Sequence, residues 1–200
     1  MKNKCEFCDG TGDGVAYGTI CPVCRGTGMC DILKHLEKAA EDFVREKANP
    51  EFFLYNYRFE LAAIPHILKS IPGCTKDMVI AGWLYWFPYS LDCTSDEIYL
   101  RFGRRVQRLL SQIYIKDFAS EGLDVYTRYK VKVESRLEKA SWEAKTIELV
   151  GLCVTLRTMV DNKVLGVEMY QRGRRSHVNL LVRGIPMDVS KIEKEIKKYM

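Results

Sequence analysis

From Met78 to Ile113 two kinds of apolar pattern lie end to end, and the rest of the chain has to be accommodated around them. The first part, Met78-Val-Ile-Ala-Gly-Trp-Leu-Tyr-Trp-Phe87, is almost wholly apolar and stops at Pro88, which has no N–H to carry a helix onward. It predicts a helix buried on every side. The second part spaces Ile98, Phe102, Val106, Leu109 and Ile113 at three or four residues, the period of a helix with one apolar face. Thr94 or Ser95, followed by Asp96 and Glu97, gives that helix its start, because a hydroxyl accepts from free N–H groups and carboxylates complement the positive end of the helix dipole. A buried helix beside an amphipathic one predicts a mainly α bundle. With 47% hydrophobic residues in 200, the chain has enough apolar surface for one medium domain.

The cysteines point to a second, smaller unit. Cys5-Glu-Phe-Cys8-Asp-Gly10-Thr-Gly12 and Cys21-Pro-Val-Cys24-Arg-Gly26-Thr-Gly28 are two copies of C-x-x-C-x-G-x-G. Four thiolates at this spacing can enclose one tetrahedral zinc, with Cys5, Cys8, Cys21 and Cys24 as ligands and the glycines permitting the turns that aim N–H groups at sulfur. The closed four-sulfur set leaves no position for water, so the expected zinc is structural. Cys30, Cys74, Cys93 and Cys153 are scattered among apolar residues and read as small buried side chains without a further role.

Between these landmarks the pattern is helical. Asp31 caps a helix whose face carries Ile32, Leu33, Leu36, Ala39, Ala40, Phe43 and Val44, with His35 beside it as a structural residue. Pro65 is expected to break or kink the next segment before His66. Ser141 starts a long helix running through Met159. Beyond Asp161, the runs 164–170 and 177–182 read as two strands around Gln171-Arg-Gly-Arg-Arg-Ser176, followed by a helix from Val189 to Tyr199. The expected organisation is a zinc-binding hairpin over 1–29, a helical domain over 30–160 and a small ββα element over 161–200.

Charge is placed unevenly. Residues 163–200 hold nine basic and four acidic side chains, an excess equal to the net charge of +5 of the whole chain. Arg172, Arg174 and Arg175, with His177 close by, form the tip of the predicted hairpin and are candidates for phosphate contacts. Arg101, Arg104, Arg105 and Arg108 form a second basic strip on the amphipathic helix. The sequence contains no apolar run of membrane-spanning length and no signal-type start, so a cytoplasmic protein is expected.

Two resemblances add to this reading. The cysteine-glycine units look like half of the zinc-binding domain of DnaJ-type chaperones. Ile80-Ala-Gly-Trp-Leu-Tyr85 and Glu97-Ile-Tyr-Leu-Arg-Phe-Gly-Arg-Arg-Val106, together with Thr146-Ile-Glu-Leu-Val-Gly-Leu-Cys-Val-Thr-Leu-Arg157, resemble the framework of the RelA/SpoT-type HD-domain hydrolases of (p)ppGpp over about residues 50–160. That resemblance implies an HD-like bundle and a divalent metal held by histidines and aspartates. At the matching positions stand Trp86-Phe87 for the His-Asp pair, Ser90-Leu91 for the acidic pair, Ala62 for the first metal histidine, with His66 close enough to take that place on a shift of register, and Gly151 for the late aspartate.

From these replacements the sequence predicts a catalytically inactive pseudoenzyme, a regulatory protein that carries a structural zinc and associates with nucleic acid. The alternative is a protein-protein adaptor using the zinc hairpin and an aromatic surface of Trp83, Tyr85, Trp86 and Phe87. A third reading is a hydrolase with unfamiliar ligands.

Overall fold

A computed structural model of the chain describes residues 3–4, 11–14, 19–21, 29–30, 32–47, 62–86, 93–113, 134–163 and 167–200. Among these are eight helices: α1 Ile32–Lys47, α2 Ala63–Ser70, α3 Lys76–Trp83, α4 Ser95–Ile113, α5 over 134–139, α6 Trp142–Asp161, α7 Val167–Val182 and α8 Ser190–Lys198. A two-residue antiparallel ladder pairs β1 Asn3–Lys4 with β2 Met29–Cys30. None of the described helices is long and apolar enough to cross a membrane.

Two helices form the centre. Every residue from Met78 to Trp83 in α3 is buried, and so is nearly all of α6 from Ala144 to Leu156. A helix without a polar face is stable only when neighbours cover it all round. Here α1, α2, α4 and α6 pack against α3, and α2, α3, α4, α7 and α8 against α6. Both central helices start on hydroxyl caps: Thr75 Oγ1 accepts from Met78 N at 3.3 Å, and Ser141 Oγ from Ala144 N at 3.3 Å. Gly82 lets α2 lie close to α3, since a Cβ there would come within 2.6 Å of Leu68 Cδ1.

The amphipathic helix α4 begins as its sequence suggests, with Thr94 Oγ1 accepting from Glu97 N at 3.1 Å. It then does something that apolar spacing does not announce. Gly103 has φ +86° and ψ 167°, and the Gln107 side-chain amide donates to both the carbonyl (3.2 Å) and the hydroxyl (3.1 Å) of Ser95. Twelve residues of straight helix span about 18 Å, far beyond the reach of a glutamine. The chain must therefore fold back at Gly103, giving two limbs, 95–102 and 104–113. The first limb meets α1 through the Phe43–Phe102 edge-to-face contact, with ring centroids 5.3 Å apart, and through Arg101, whose guanidinium lies 4.7 Å from the centre of the Phe43 ring. The second limb is tied by Arg105, which reaches Asp77 of α3 at 3.2 Å and Glu143 of α6 at 2.6 Å. In water-exposed settings such pairs each contribute about 0.2–1 kcal/mol, so their value here is in fixing direction more than in stability.

Two expectations are corrected. The predicted β-hairpin over 164–182 is the helix α7. The run around Gly173 was read as a turn, yet a single glycine costs a helix only about 1 kcal/mol, and burial of Val178 and Leu181 against α6 outweighs it. The ββα element is thus an αα pair, with α8 close to its expected bounds. Pro65 does not break its segment: it lies in the first turn of α2, where its missing N–H deprives the helix of no bond. Of the scattered cysteines, Cys153 is buried, Cys74 and Cys93 are half-buried, and the Cys30 side chain lies outside the described residues. Burial pushes the Cys74 and Cys153 thiols up to about 11, so neither is a ready nucleophile at neutral pH.

Candidate functional site

The positions singled out by the HD-like framework come from α2, α3 and α6, and the fold packs these three helices on one another. Just past the C-terminal end of α3, Tyr85 and Trp86 turn toward α6. The Tyr85 ring lies directly over Gly151: a Cβ at that position would be 2.2 Å from Tyr85 Cζ. One turn earlier on α6, Glu148 Oε2 accepts the Tyr85 hydroxyl at 2.9 Å. Trp86 stands edge-on to Tyr85, with centroids 5.1 Å apart and planes at 88°, and is itself buried. The landmark at Ala62 leads into α2 from the other side, and His66 is exposed.

Sequence reasoning placed Tyr85 on an aromatic surface and gave Glu148 no role, and it missed the contact that the two make over Gly151. A signal was present, because glycine inside a buried helix usually marks a close approach by another group. Gly151 had been noted only for the aspartate it replaces.

The chemistry of this cluster is that of a packed aromatic pair with one hydrogen-bonded carboxylate. Tryptophan, glycine and alanine offer a divalent ion no ligand atom from their side chains, and among the described residues no group of three or more His, Cys, Asp and Glu is gathered. The residues described at the framework positions do not fit a metal there. Phe87 and Ser90-Leu91 lie outside the described residues.

The aromatic surface invoked for an adaptor is corrected. Trp83 and Trp86 are 4% and 7% exposed and belong to the core, and of the three members described Tyr85 alone is half-exposed. The basic candidates are also redistributed. Arg172, Arg174 and Arg175 occupy the middle of helix α7 instead of a hairpin tip, and His177 is 1% exposed, so it is no surface contact. Of the strip on α4, Arg101 is engaged with Phe43 and with Glu97 at 3.5 Å, and Arg105 with two carboxylates. Arg104 and Arg108 are exposed and make no ion pair among the described residues.

Of the four expected zinc ligands, Cys21 is described and buried, while Cys5, Cys8 and Cys24 lie outside the described residues. The backbone around them is informative. Asn3 pairs with Cys30 and Lys4 with Met29, Asp13 bridges Ile20, and Cys21 N donates to Gly12 O at 2.8 Å. Gly12, at φ +85°, is in the conformation that the second glycine of the unit was expected to supply.

No family model matches the sequence, and no curated protein matches it. A solved structure does match: a metazoan orthologue of SpoT, described as a protein that hydrolyzes ppGpp and plays a role in starvation responses. It has a TM-score of 0.60 and 18% identity, covering 84% of this chain and 92% of the other. At that identity the likeness is one of fold, and the fold of this chain is an HD-like helical bundle similar to that of a SpoT hydrolase. The comparison corrects one expectation. The chain was read as no enzyme, a pseudoenzyme lacking the HD metal ligands; the fold it shares is that of an active hydrolase, and replaced residues at framework positions are no demonstration of lost activity.

Proposed function

We propose that the protein is an HD-fold regulator that takes a guanosine polyphosphate of the ppGpp kind. The observation supporting this is the fold likeness, which extends over most of both chains and not over a single motif. The test is isothermal calorimetry of the purified protein with ppGpp, with and without manganese, alongside chromatography of the nucleotide after incubation. Saturable binding near one nucleotide per chain, or conversion of the nucleotide, is the expected result. The absence of both up to millimolar nucleotide overturns the reading.

A second reading is association with nucleic acid, favoured by the exposed cations Arg104 and Arg108 on α4 and Arg183, Lys191 and Lys194 around α7 and α8. Phosphate contacts release counterions, so such binding weakens steeply with added salt.

We also propose one structural zinc on Cys5, Cys8, Cys21 and Cys24. The two cysteine-glycine units are paired antiparallel at both of their ends, through Lys4–Met29 at one and Gly12–Cys21 at the other. This pairing of the units at both ends supports a reading in which they serve one ion together. Elemental analysis should find one zinc per chain, and replacing Cys21 with Ser should remove it. A content near zero or near two would rule the assignment out.

A further inference from the structure

The four arginines of α4 look alike in the sequence and are divided by the fold. Arg101 and Arg105 hold helices together, as their partners Phe43, Glu97, Asp77 and Glu143 show. Arg104 and Arg108 lie on the second limb, four residues apart, opposite the buried Val106, Leu109 and Leu110. Ser111 is exposed on the turn after Arg108, with its hydroxyl donating back to the Arg108 carbonyl at 2.9 Å. The result is a short outward strip with two guanidinium groups and, among the described residues, no carboxylate paired to either.

We propose that this limb, 104–113, is a phosphate-tracking surface for a nucleic-acid strand. Two arginines one turn apart are separated by about 6 Å along the helix, within one or two steps of a strand whose charges recur about every 3.4 Å along its axis. The strip lies on the solvent-facing side of a helix, where Arg104, Arg108 and Ser111 are all exposed. A mononucleotide needs a concavity that encloses most of its surface, whereas an extended backbone can lie across a helix, so the occupant is the polymer and not ppGpp. The limb does not read bases. Gln107, the residue on it best suited to pair with an adenine edge, is occupied by Ser95. Binding at this strip is therefore salt-sensitive and indifferent to sequence.

The inference rests on the nucleic-acid reading and is independent of the ppGpp one. The experiment is fluorescence anisotropy of short labelled DNA duplexes of two unrelated sequences with the wild-type chain and with Arg104→Ala/Arg108→Ala, over a salt series, with thermal melts of both proteins. Because neither arginine is paired among the described residues, the melts should coincide. The double variant should flatten the slope of log affinity against log salt by about 1.8, two contacts at about 0.9 each, equally for both duplexes. If the wild type binds and the variant binds as well with the same slope, this strip is not the surface and the α7–α8 face carries the contact. If the wild type binds neither duplex at low salt, the nucleic-acid reading itself falls, and the strip with it. An Arg104→Glu/Arg108→Glu variant should abolish binding at the same melting temperature; retention of binding by that variant overturns the proposal.

Discussion

Gly103→Ala should be among the most damaging single substitutions in the chain, although it adds only a methyl group. At φ +86° and ψ 167° the backbone is in a region that side chains with a Cβ essentially do not enter. Alanine must either hold that conformation at a cost of about 2–3 kcal/mol or straighten the helix. Straightening pulls Gln107 away from Ser95, and the two limbs can no longer both lie on the core. A chemical denaturation curve should show the loss, and the melting temperature of a chain this size should fall by roughly 5–10 °C. Gln107→Ala, which removes only the tie across the fold-back, should cost about 1 kcal/mol. If Gly103→Ala is no worse than Gln107→Ala, the helix is not folded back as described.

The second large effect is expected at Gly151. A methyl group there would overlap the Tyr85 ring, and the ring is also held by Glu148 and Trp86. Gly151→Ala should destabilise the fold by about 1–3 kcal/mol, the usual range for overpacking. The diagnostic is a double-mutant cycle. With Tyr85 already changed to Ala, the added methyl fills vacated space, so the two changes together should cost less than their sum by about 1–2 kcal/mol. Strict additivity would mean that the ring does not occupy the position over α6. The same pair of variants bears on ligand binding: if a guanosine polyphosphate approaches this part of the fold, Tyr85→Ala should alter its affinity, and the calorimetry already described can be run on it.

The helices most legible in the sequence were those where one physical rule dominated. The all-apolar run to Trp86 and the spaced apolar series from Ile98 located α3 and α4, and Ser141 with the residues after it located α6. Their framework also led to the HD-like fold. What was not legible depends on contacts between distant residues. The fold-back at Gly103 is tied by Ser95 and Gln107, twelve residues apart on either side of it, and nothing local distinguishes that glycine from one tolerated in a straight helix. Gly173 was the reverse case: it sits inside an unbroken helix because α6 offers an apolar surface for Val178 and Leu181. At the candidate site, the framework positions of α3 and α6 were rightly brought together. The tyrosine that joins them reads in sequence as part of an exposed aromatic surface, because its seat over Gly151 depends on the packing of α6 against α3. The division of the arginines was legible only at Arg101, four residues from Glu97; the Phe43 ring of α1 and the carboxylates on α3 and α6 that hold Arg101 and Arg105 come from distant parts of the chain.

Helix α6 has a consequence for how the chain is made. Synthesis proceeds from the N-terminus, so α6 is complete while α7 and α8 are still to come. The buried Val178, Leu181, Ile192 and Ile196 that those helices contribute to the core are then absent. Until those two helices emerge, α6, the longest of the described helices, packs against α2, α3 and α4 but lacks the apolar cover that α7 and α8 bring. Such a partly covered intermediate is the species in which nascent chains associate wrongly. The native core is therefore complete only once α7 and α8 have emerged and packed on α6.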